Sequence, residues 1–342
     1  MADLAKDGVH LTLEQGHALA VETLTKNGCD EANAHAVARN MIRAEADGSV
    51  SHGLFRLPWC VHTLKTGRAN GAARPTVTRP APGVVRVDAH RGFAPLAQET
   101  GIPVLVEAAR ENGIAALAIV DCYHVAAMWP ECESVANEGL VAFACTPSFP
   151  YVAPAGGNRP LFGTNPIGFG WPRKGKPPMV FDQASAAMAR GDLMIAARDG
   201  HSVPEGIGID ADGRPSTDPN AILKGAQLAF GGYKGAALAM MVELISGPLI
   251  GEFLSIEAKA DDDGSGCAPH GGEFLFAIDP ARFGDPEKIM AHAEKLFGEI
   301  AAQPGARLPG DRRLRNREKT RAQGFYVPHK TWEAIKGTES HN

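Results

Sequence analysis

No Walker A sequence and no CxxC occur in this 342-residue chain. The first absence removes the usual phosphate-cradling loop, and the second removes the commonest zinc and dithiol arrangements. Six cysteines, at positions 29, 60, 122, 132, 145 and 267, have no metal-like spacing to histidine either. No metal site is therefore expected, and no disulfide framework in a chain of this size. Cys122, two residues before His124, reads as a reactive thiol or as a buried, inert one. Positive charge is not in surplus. The net charge of −5 argues against general nucleic-acid or membrane-surface binding. Long apolar runs are missing too: the longest, Gly235 to Ile250, is interrupted by Glu243 and Pro248 and is too short to span a bilayer. Residues 1–10 contain no apolar segment of the secretory type, so a cytoplasmic location is expected. The dinucleotide fingerprint G-x-G-x-x-G/A is matched once, at Gly206 to Ala211. Asp212-Gly213-Arg214-Pro215 follows it, a turn where a helix is required, so a Rossmann site is excluded. The acidic run Asp261 to Gly266 lacks the spacing and closing Glu of an EF-hand.

What is present is an ordinary globular composition, 44% hydrophobic and 21% charged, long enough for two lobes or one elaborated α/β unit. Thr12-Leu13-Glu14-Gln15 fits a capping box, and Asp30 caps a second helix that ends at Asp47-Gly48. Helices are predicted over 57–64, 95–112, 130–138, 236–246 and 286–302, and one starts near Ser185. Strands are predicted at 84–88, 114–120, 140–145, 179–181 and 274–278. Residues 146–173, 201–220 and 257–272 read as loops, the last as a flexible acidic one, and 307–321 as a basic tail.

Three stretches carry chemistry. In Asp47 to Pro58, a hydroxyl and an imidazole sit between two glycines, with Arg56 four residues past His52. A helix starting at Gly53 would put His52 and Arg56 on one face. That pairs a proton donor or acceptor with a fork that grips a carboxylate, suiting proton transfer beside a small 2-oxo, 2-hydroxy or 2-imino acid. A capped helix start with a surface Arg is the alternative. Gly231-Gly232-Tyr233-Lys234-Gly235 offers backbone N–H groups and a point charge to a phosphate, or is a glycine turn with a solvated Lys. Arg307 to Arg313 offers a second anion site, or is a solvated basic helix.

With those residues in hand, the chain resembles the type-2 malate/L-lactate dehydrogenase superfamily over nearly its whole length. The carriers are DGSVSHGLFRLP (47–58), HVAAMWP (124–130), PLFGTNPIGFG (160–170), VFDQA (180–184), ARGD (189–192), FGGYKGAALAMMVEL (230–244) and RLPGDRR (307–313). FRLP, HVAAMWP and RLPGDRR are similar to its Δ1-piperideine-2-carboxylate/Δ1-pyrroline-2-carboxylate reductase branch. The resemblance implies a non-Rossmann α/β fold with a largely antiparallel central sheet, flanking helices and discontinuous lobes. Residues 1–120 plus 280–342 would form a helical, substrate and dimerisation lobe, and 121–279 a cofactor-binding lobe, in a homodimer. It implies His52 as proton donor with Ser51 and Asp192 as relay partners, and Arg56 and Thr164 as substrate contacts. NADPH would meet His124, Val125, Ala126, Ala127, Met128, Asp182, Gln183, Ala184, Arg190, Gly191, Tyr233 and Lys234. It would also meet Arg307, Leu308, Pro309, Gly310, Asp311, Arg312 and Arg313. Tyr233, Tyr123 and Gln183 depart from the residues common at those positions. The implied activity is NADPH-dependent reduction of cyclic imino acids, Δ1-piperideine-2-carboxylate to L-pipecolate and Δ1-pyrroline-2-carboxylate to L-proline. The alternatives are a malate-, lactate- or ureidoglycolate-type 2-hydroxyacid dehydrogenase using NAD(P), and a binding protein without catalysis.

Overall fold

Local capping sets the first elements of the computed structural model, which describes residues 8–124 and 126–338. The Thr12 hydroxyl accepts from Gln15 N at 3.2 Å while the Gln15 side chain accepts from Thr12 N at 2.9 Å, opening α1 (Leu13–Lys26). Asp30 accepts from Asn33 N at 3.0 Å and opens α2 (Glu31–Ala46). Their apolar stripes, with Ala20, Leu24, Val37 and Met41, pack against Leu57, Cys60 and Leu64 of α3 (Leu57–Lys65). Two strands with no sequence signal close this layer. β1 (Gly8–Leu11) pairs antiparallel with β12 (Phe325–Pro328), Leu11 opposite Phe325, and α12 (His329–Gly337) packs beside them.

The central sheet has seven strands: β2 (Thr76–Ala81), β3 (Val84–Phe93), β4 (Ile114–Tyr123), β5 (Val141–Cys145), β6 (Ile167–Trp171), β7 (Met179–Gln183) and β11 (His270–Ile278). Their order is β2-β3-β4-β11-β5-β6-β7. The sheet is mixed. β3 and β4 run parallel, joined by the crossover helix α4 (Ala94–Asn112), and the other neighbours run antiparallel. Val85, Val87, Leu117, Ile119 and Leu275 pack with Ala97 and Leu105 of α4 and with Trp129 and Val135 of α5 (Trp129–Asn137). The lobe boundary drawn at 120/121 falls within β4.

Several predicted loops are ordered elements. β6 forms inside 146–173 because Ile167 to Trp171 pairs on both sides, with β5 and β7. Residues 201–227 hold three short strands, β8 (Gly208–Ile209), β9 (Pro215–Ser216) and β10 (Ala226–Gln227), with α7 (Pro219–Lys224) between the last two. The helix expected near Ser185 starts later, as α6 (Arg190–Asp199), because Ser185 N donates to Thr164 O and Ser185 Oγ to Asn165 O. α8 (Tyr233–Ser246) begins at the glycine pair. The acidic stretch is not a flexible loop. It forms α9 (Ser255–Asp262), after which buried Asp262 accepts from Ser265 Oγ, Gly266 N and Cys267 N. After α10 (Pro286–Ala301), the basic tail is helix α11 (Asp311–Gln323).

All six cysteines are buried and free, and burial pushes the Cys122 thiol well above its ordinary range, which favours the inert reading. No helix among the described residues is long and apolar enough to cross a membrane.

Candidate active site

Asp47 anchors the chemistry-bearing stretch. Its carboxylate accepts two bonds of 2.7 Å from Arg317 of α11 and one of 2.9 Å from Trp129 Nε1 of α5. Beyond it the chain does not enter one helix. Two short 3₁₀ turns, Val50–His52 and Leu54–Arg56, are separated by extended Gly53 (φ −90°, ψ −141°) before α3 begins. The single helical face predicted for His52 and Arg56 is therefore corrected, since i and i+4 align only along a continuous helix.

Glu45 of α2 explains the break. A Cβ on Gly53 would lie 2.1 Å from Glu45 Oε1, and that oxygen accepts from Leu54 N at 2.7 Å. A side chain here would displace the carboxyl, and the carboxyl holds the second turn. Burial pushes Glu45 up to about 7. A raised carboxyl contributes stability that is complete below its ordinary 4.5 and is lost as pH rises through 7. Glu45→Gln keeps an acceptor for Leu54 N but removes the titration. It is expected to gain on the wild type by on the order of 2 kcal/mol between pH 5 and pH 8, measured by urea melts at both. A constant difference across that range would place the titration elsewhere.

Ser51 Oγ lies 3.1 Å from His52 Nδ1. Burial first, then the charges of Arg56 and His124, push His52 down to about 3, so the resting ring is neutral. Arg56 is 8% exposed. Its Nε donates to Ser51 O at 2.7 Å, and its guanidinium lies 5.6 Å and 5.3 Å from the ring centres of Phe55 and Trp59. No carboxylate pairs with it among the described residues. Gly191 of α6 packs against this corner, where a Cβ would meet Arg56 Nη2 at 2.8 Å and Ser51 Cβ at 3.0 Å. Asp192 is exposed in the first turn of α6 and makes no hydrogen bond to Ser51 or His52. It acts on Arg56 only through space. The three-residue relay is not assembled as drawn from the sequence.

Tyr151 was not singled out by any sequence pattern, yet it lines the same corner. The Arg190 guanidinium stacks 4.1 Å from its ring centre, and both Arg190 and Arg56 act electrostatically on its phenol. Its only sequence signal was position, in the loop predicted over 146–173. Among the described residues Arg190 likewise has no carboxylate partner, and its Nη1 donates to Gln227 Oε1 at 3.4 Å. A guanidinium without a carboxylate partner beside a neutral imidazole, with a second one across Tyr151, suits an anion. A cleft of about 290 Å³ beside it is lined by Phe55, Arg56, Trp59, Met194, Arg198 and Lys330. A larger one of about 450 Å³ lies behind Glu45 and reaches neither His52 nor His124.

The residues expected at the cofactor fall into two groups. Met128 N donates to Asp182 Oδ2 at 3.3 Å, and Arg313 Nη2 donates to Asp182 Oδ1 at 3.0 Å while stacking 4.2 Å from the Trp129 ring. Arg313 is thus engaged within the protein and not held out as an open phosphate ligand. Arg307 and Arg312 are exposed, Leu308 is buried, and Asp311 accepts from Leu308 N to shape the turn at Pro309 and Gly310. In the second group, Ala184 packs with Ala229 and Ala236, which brings 184–186 beside the start of α8. Gly231 (φ 57°) and Gly232 (φ 63°) leave exposed Tyr233 and Lys234 on the first turn. The Gly232, Lys234 and Gly235 amides donate within the turn, so what this helix start offers a phosphate is its dipole and the Lys234 charge. Gln183 is exposed, and Ala126, Ala127 and His124 are at least half-buried, while Val125 lies outside the described residues. Thr164 offers its amide to Ser148 Oγ at 3.2 Å and is half-buried, its hydroxyl making no bond among the described residues.

A family model described as malate/L-lactate dehydrogenase matches residues 11–336. Among curated proteins, the chain is 48% identical to a Delta(1)-pyrroline-2-carboxylate/Delta(1)-piperideine-2-carboxylate reductase of Pseudomonas aeruginosa, over 94% of this chain and 96% of that one. It is 50% identical to a Delta(1)-pyrroline-2-carboxylate reductase of Ancylobacter novellus, over 94% of each. Among solved structures, it is similar to delta1-piperideine-2-carboxylate reductase from Pseudomonas syringae pvar. tomato. That match has a TM-score of 0.88 and 39% identity, and it covers 96% of this chain and 99% of the other.

Proposed function

The chain belongs to the malate/L-lactate dehydrogenase family, and on that premise we propose that it is an NADPH-dependent reductase of cyclic imino acids. The substrates are Δ1-piperideine-2-carboxylate and Δ1-pyrroline-2-carboxylate, and the products are L-pipecolate and L-proline. The observation that carries this reading is Arg56: a buried guanidinium with no carboxylate partner among the described residues, whose charge acts on the His52 imidazole four residues before it. A substrate carboxylate supplies the missing counter-ion.

Arg56 holds that carboxylate and so fixes the adjacent C=N carbon. A nicotinamide cofactor supplies the hydride that this carbon receives. His52 stands beside the ring nitrogen's side of the site and handles the proton, with the Ser51 hydroxyl orienting Nδ1. Arg190 and Tyr151 close the pocket with positive charge and an apolar face. His124 to Met128, Asp182 to Ala184, and the start of α8 form the cofactor wall. Comparing NADPH oxidation with the two imines and with linear 2-oxo acids tests the reading. Turnover of the oxo acids alone would move the assignment to 2-hydroxyacid dehydrogenation.

The exposed arginines favour the 2′-phosphate of NADPH. Because Arg313 is paired to Asp182, Arg312 is the cleaner probe. Arg312→Ala is expected to weaken NADPH about tenfold, the loss of one charge-assisted bond, and to leave NADH unchanged in titrations of both. Equal weakening would assign the residue to folding instead. The cytoplasmic homodimer is part of the proposal. Tyr233, Met240, Leu244 and Leu249, all exposed on or just after α8, support an apolar contact with a second copy.

A further inference from the structure

Beneath the proposed cofactor wall lies a side-chain group that the chemistry above leaves unused. His124, Glu131 of α5 and Glu273 of β11 each bring one polar atom to within 4.8 Å of the others. Glu273 is fully buried, and Glu131 and His124 are 2% and 9% exposed. No lysine or arginine pairs with either carboxyl among the described residues. Neither Glu131 oxygen receives an N–H or O–H from any of them. Glu273 Oε2 accepts from Gln98 Nε2 of α4 at 2.8 Å and lies 3.6 Å from His124 Nε2.

Two ionised carboxylates in contact, dry and without a cation, repel each other strongly, so the pair must hold either a proton or a metal ion. A proton leaves fewer loose ends. It turns one Glu131 oxygen into a donor for Glu273, and Glu273 then has Gln98 and Glu131 as donors and an open lone pair towards His124. We propose that Glu131 is kept as the neutral acid, donating to a Glu273 carboxylate whose charge, 3.6 Å from the otherwise unpartnered His124 Nε2, favours the Nε2–H tautomer. The two glutamates are positioning residues. They set which nitrogen of His124 is left as acceptor and how the His124 side of the cofactor wall is held.

The surroundings agree. Burial raises both carboxyls, and the Glu273 charge raises Glu131 further. Burial lowers His124 to about 4, so the ring is neutral and its tautomer is the variable that matters. The titratable groups facing the trio are Cys122 of β4, Cys132 of α5, Cys145 of β5 and Asp182 of β7. The thiols are pushed up and stay neutral, and Asp182 is engaged by Arg313. His52 faces His124 through space. A cleft of about 280 Å³ lined by Gln98, Pro130, Glu131 and Arg43 lies on the solvent side of the trio, and neither Glu131 oxygen is exposed in it.

The inference rests on the assignment of 124–128 to the cofactor wall, so its decisive readouts do not use turnover. Infrared difference spectra of wild type against Glu131→Gln at pH 7 are expected to lose a protonated-carboxyl C=O band. Nitrogen shifts of ¹⁵N-histidine-labelled protein should report His124 as Nε2–H, and as a tautomer mixture in Glu273→Gln. With imine and NADPH, Glu131→Ala should lower kcat about tenfold, the loss of one hydrogen bond to a charged group. Glu131→Gln, whose amide still donates, should recover most of that loss. The proposal is overturned if the band persists in Glu131→Gln or if His124 is the Nδ1–H tautomer. It is also overturned if the purified protein holds one chelator-removable Zn²⁺ or Mn²⁺ per chain that Glu273→Gln loses, since the trio is then a metal site. A failed imine assay with the first two readouts intact would overturn the substrate assignment and leave the positioning pair standing.

Discussion

Replacing His52 by alanine is expected to lower kcat by roughly 10²–10⁴-fold, the usual range for removing a general acid, while NADPH binding is retained. The geometry behind this is the Ser51 Oγ to His52 Nδ1 contact of 3.1 Å and the placement of both residues against Arg56. The ring is neutral at rest, pushed down to about 3 by burial and by the charge of Arg56. An anionic substrate cancels part of that charge, so binding raises the His52 pKa and lets the ring carry a proton when one is needed. The sign can be checked directly. Removing the Arg56 charge should also move the pH profile of kcat upward, towards the ordinary histidine value near 6.5. Near-wild-type kcat in His52→Ala would remove this residue from the mechanism. A larger loss in Tyr151→Phe would place the proton on the phenol, the other titratable group beside both guanidiniums.

The second large effect sets stability against activity. Arg56→Met should raise the unfolding free energy by about 1–4 kcal/mol, taking over the range for buried ion pairs exchanged for apolar side chains of similar volume. Arg56 is desolvated, and its protein bonds are limited to one backbone carbonyl and two aromatic faces. The same change should lower kcat/KM by roughly 10²–10⁴-fold, because two charge-assisted bonds to the substrate carboxylate are each worth ~1.5–3 kcal/mol. Arg56→Lys should mainly raise KM, since a point charge cannot reproduce the two-pronged grip. Denaturant melts and steady-state kinetics on the same preparations separate the two effects. A destabilised Arg56→Met with unchanged KM would identify the guanidinium as a packing element.

Legibility followed the range of the forces involved. The Thr12/Gln15 box and the Asp30 cap act within four residues, and both are where the sequence places them. Apolar runs such as Ile114 to Val120 became core strands for the same reason: burial of a continuous run is decided almost locally. The 3₁₀ break at Gly53 was hidden because its cause, the Glu45 carboxyl, comes from another helix. Arg313 looked like an open anion ligand until β7 brought Asp182 to it. The resemblance implied Asp192 as a relay partner, and the structure leaves it exposed in the first turn of α6.

By itself the sequence determined the capped starts of α1 and α2, five of the seven central strands, the exclusion of P-loop and Rossmann sites, and the stretch that bears Ser51, His52 and Arg56. Only the tertiary structure decided the mixed strand order, the pairing of β1 with β12 and the joining of Tyr151 and Arg190 to the site. It also decided that Glu131 and Glu273 meet. Residue type sets what a charge can do. Whether that charge is paired, solvated or buried alone depends on chain segments far apart in sequence, and for Arg56, Arg313 and Glu131 that difference separates a ligand grip, a structural tie and a held proton.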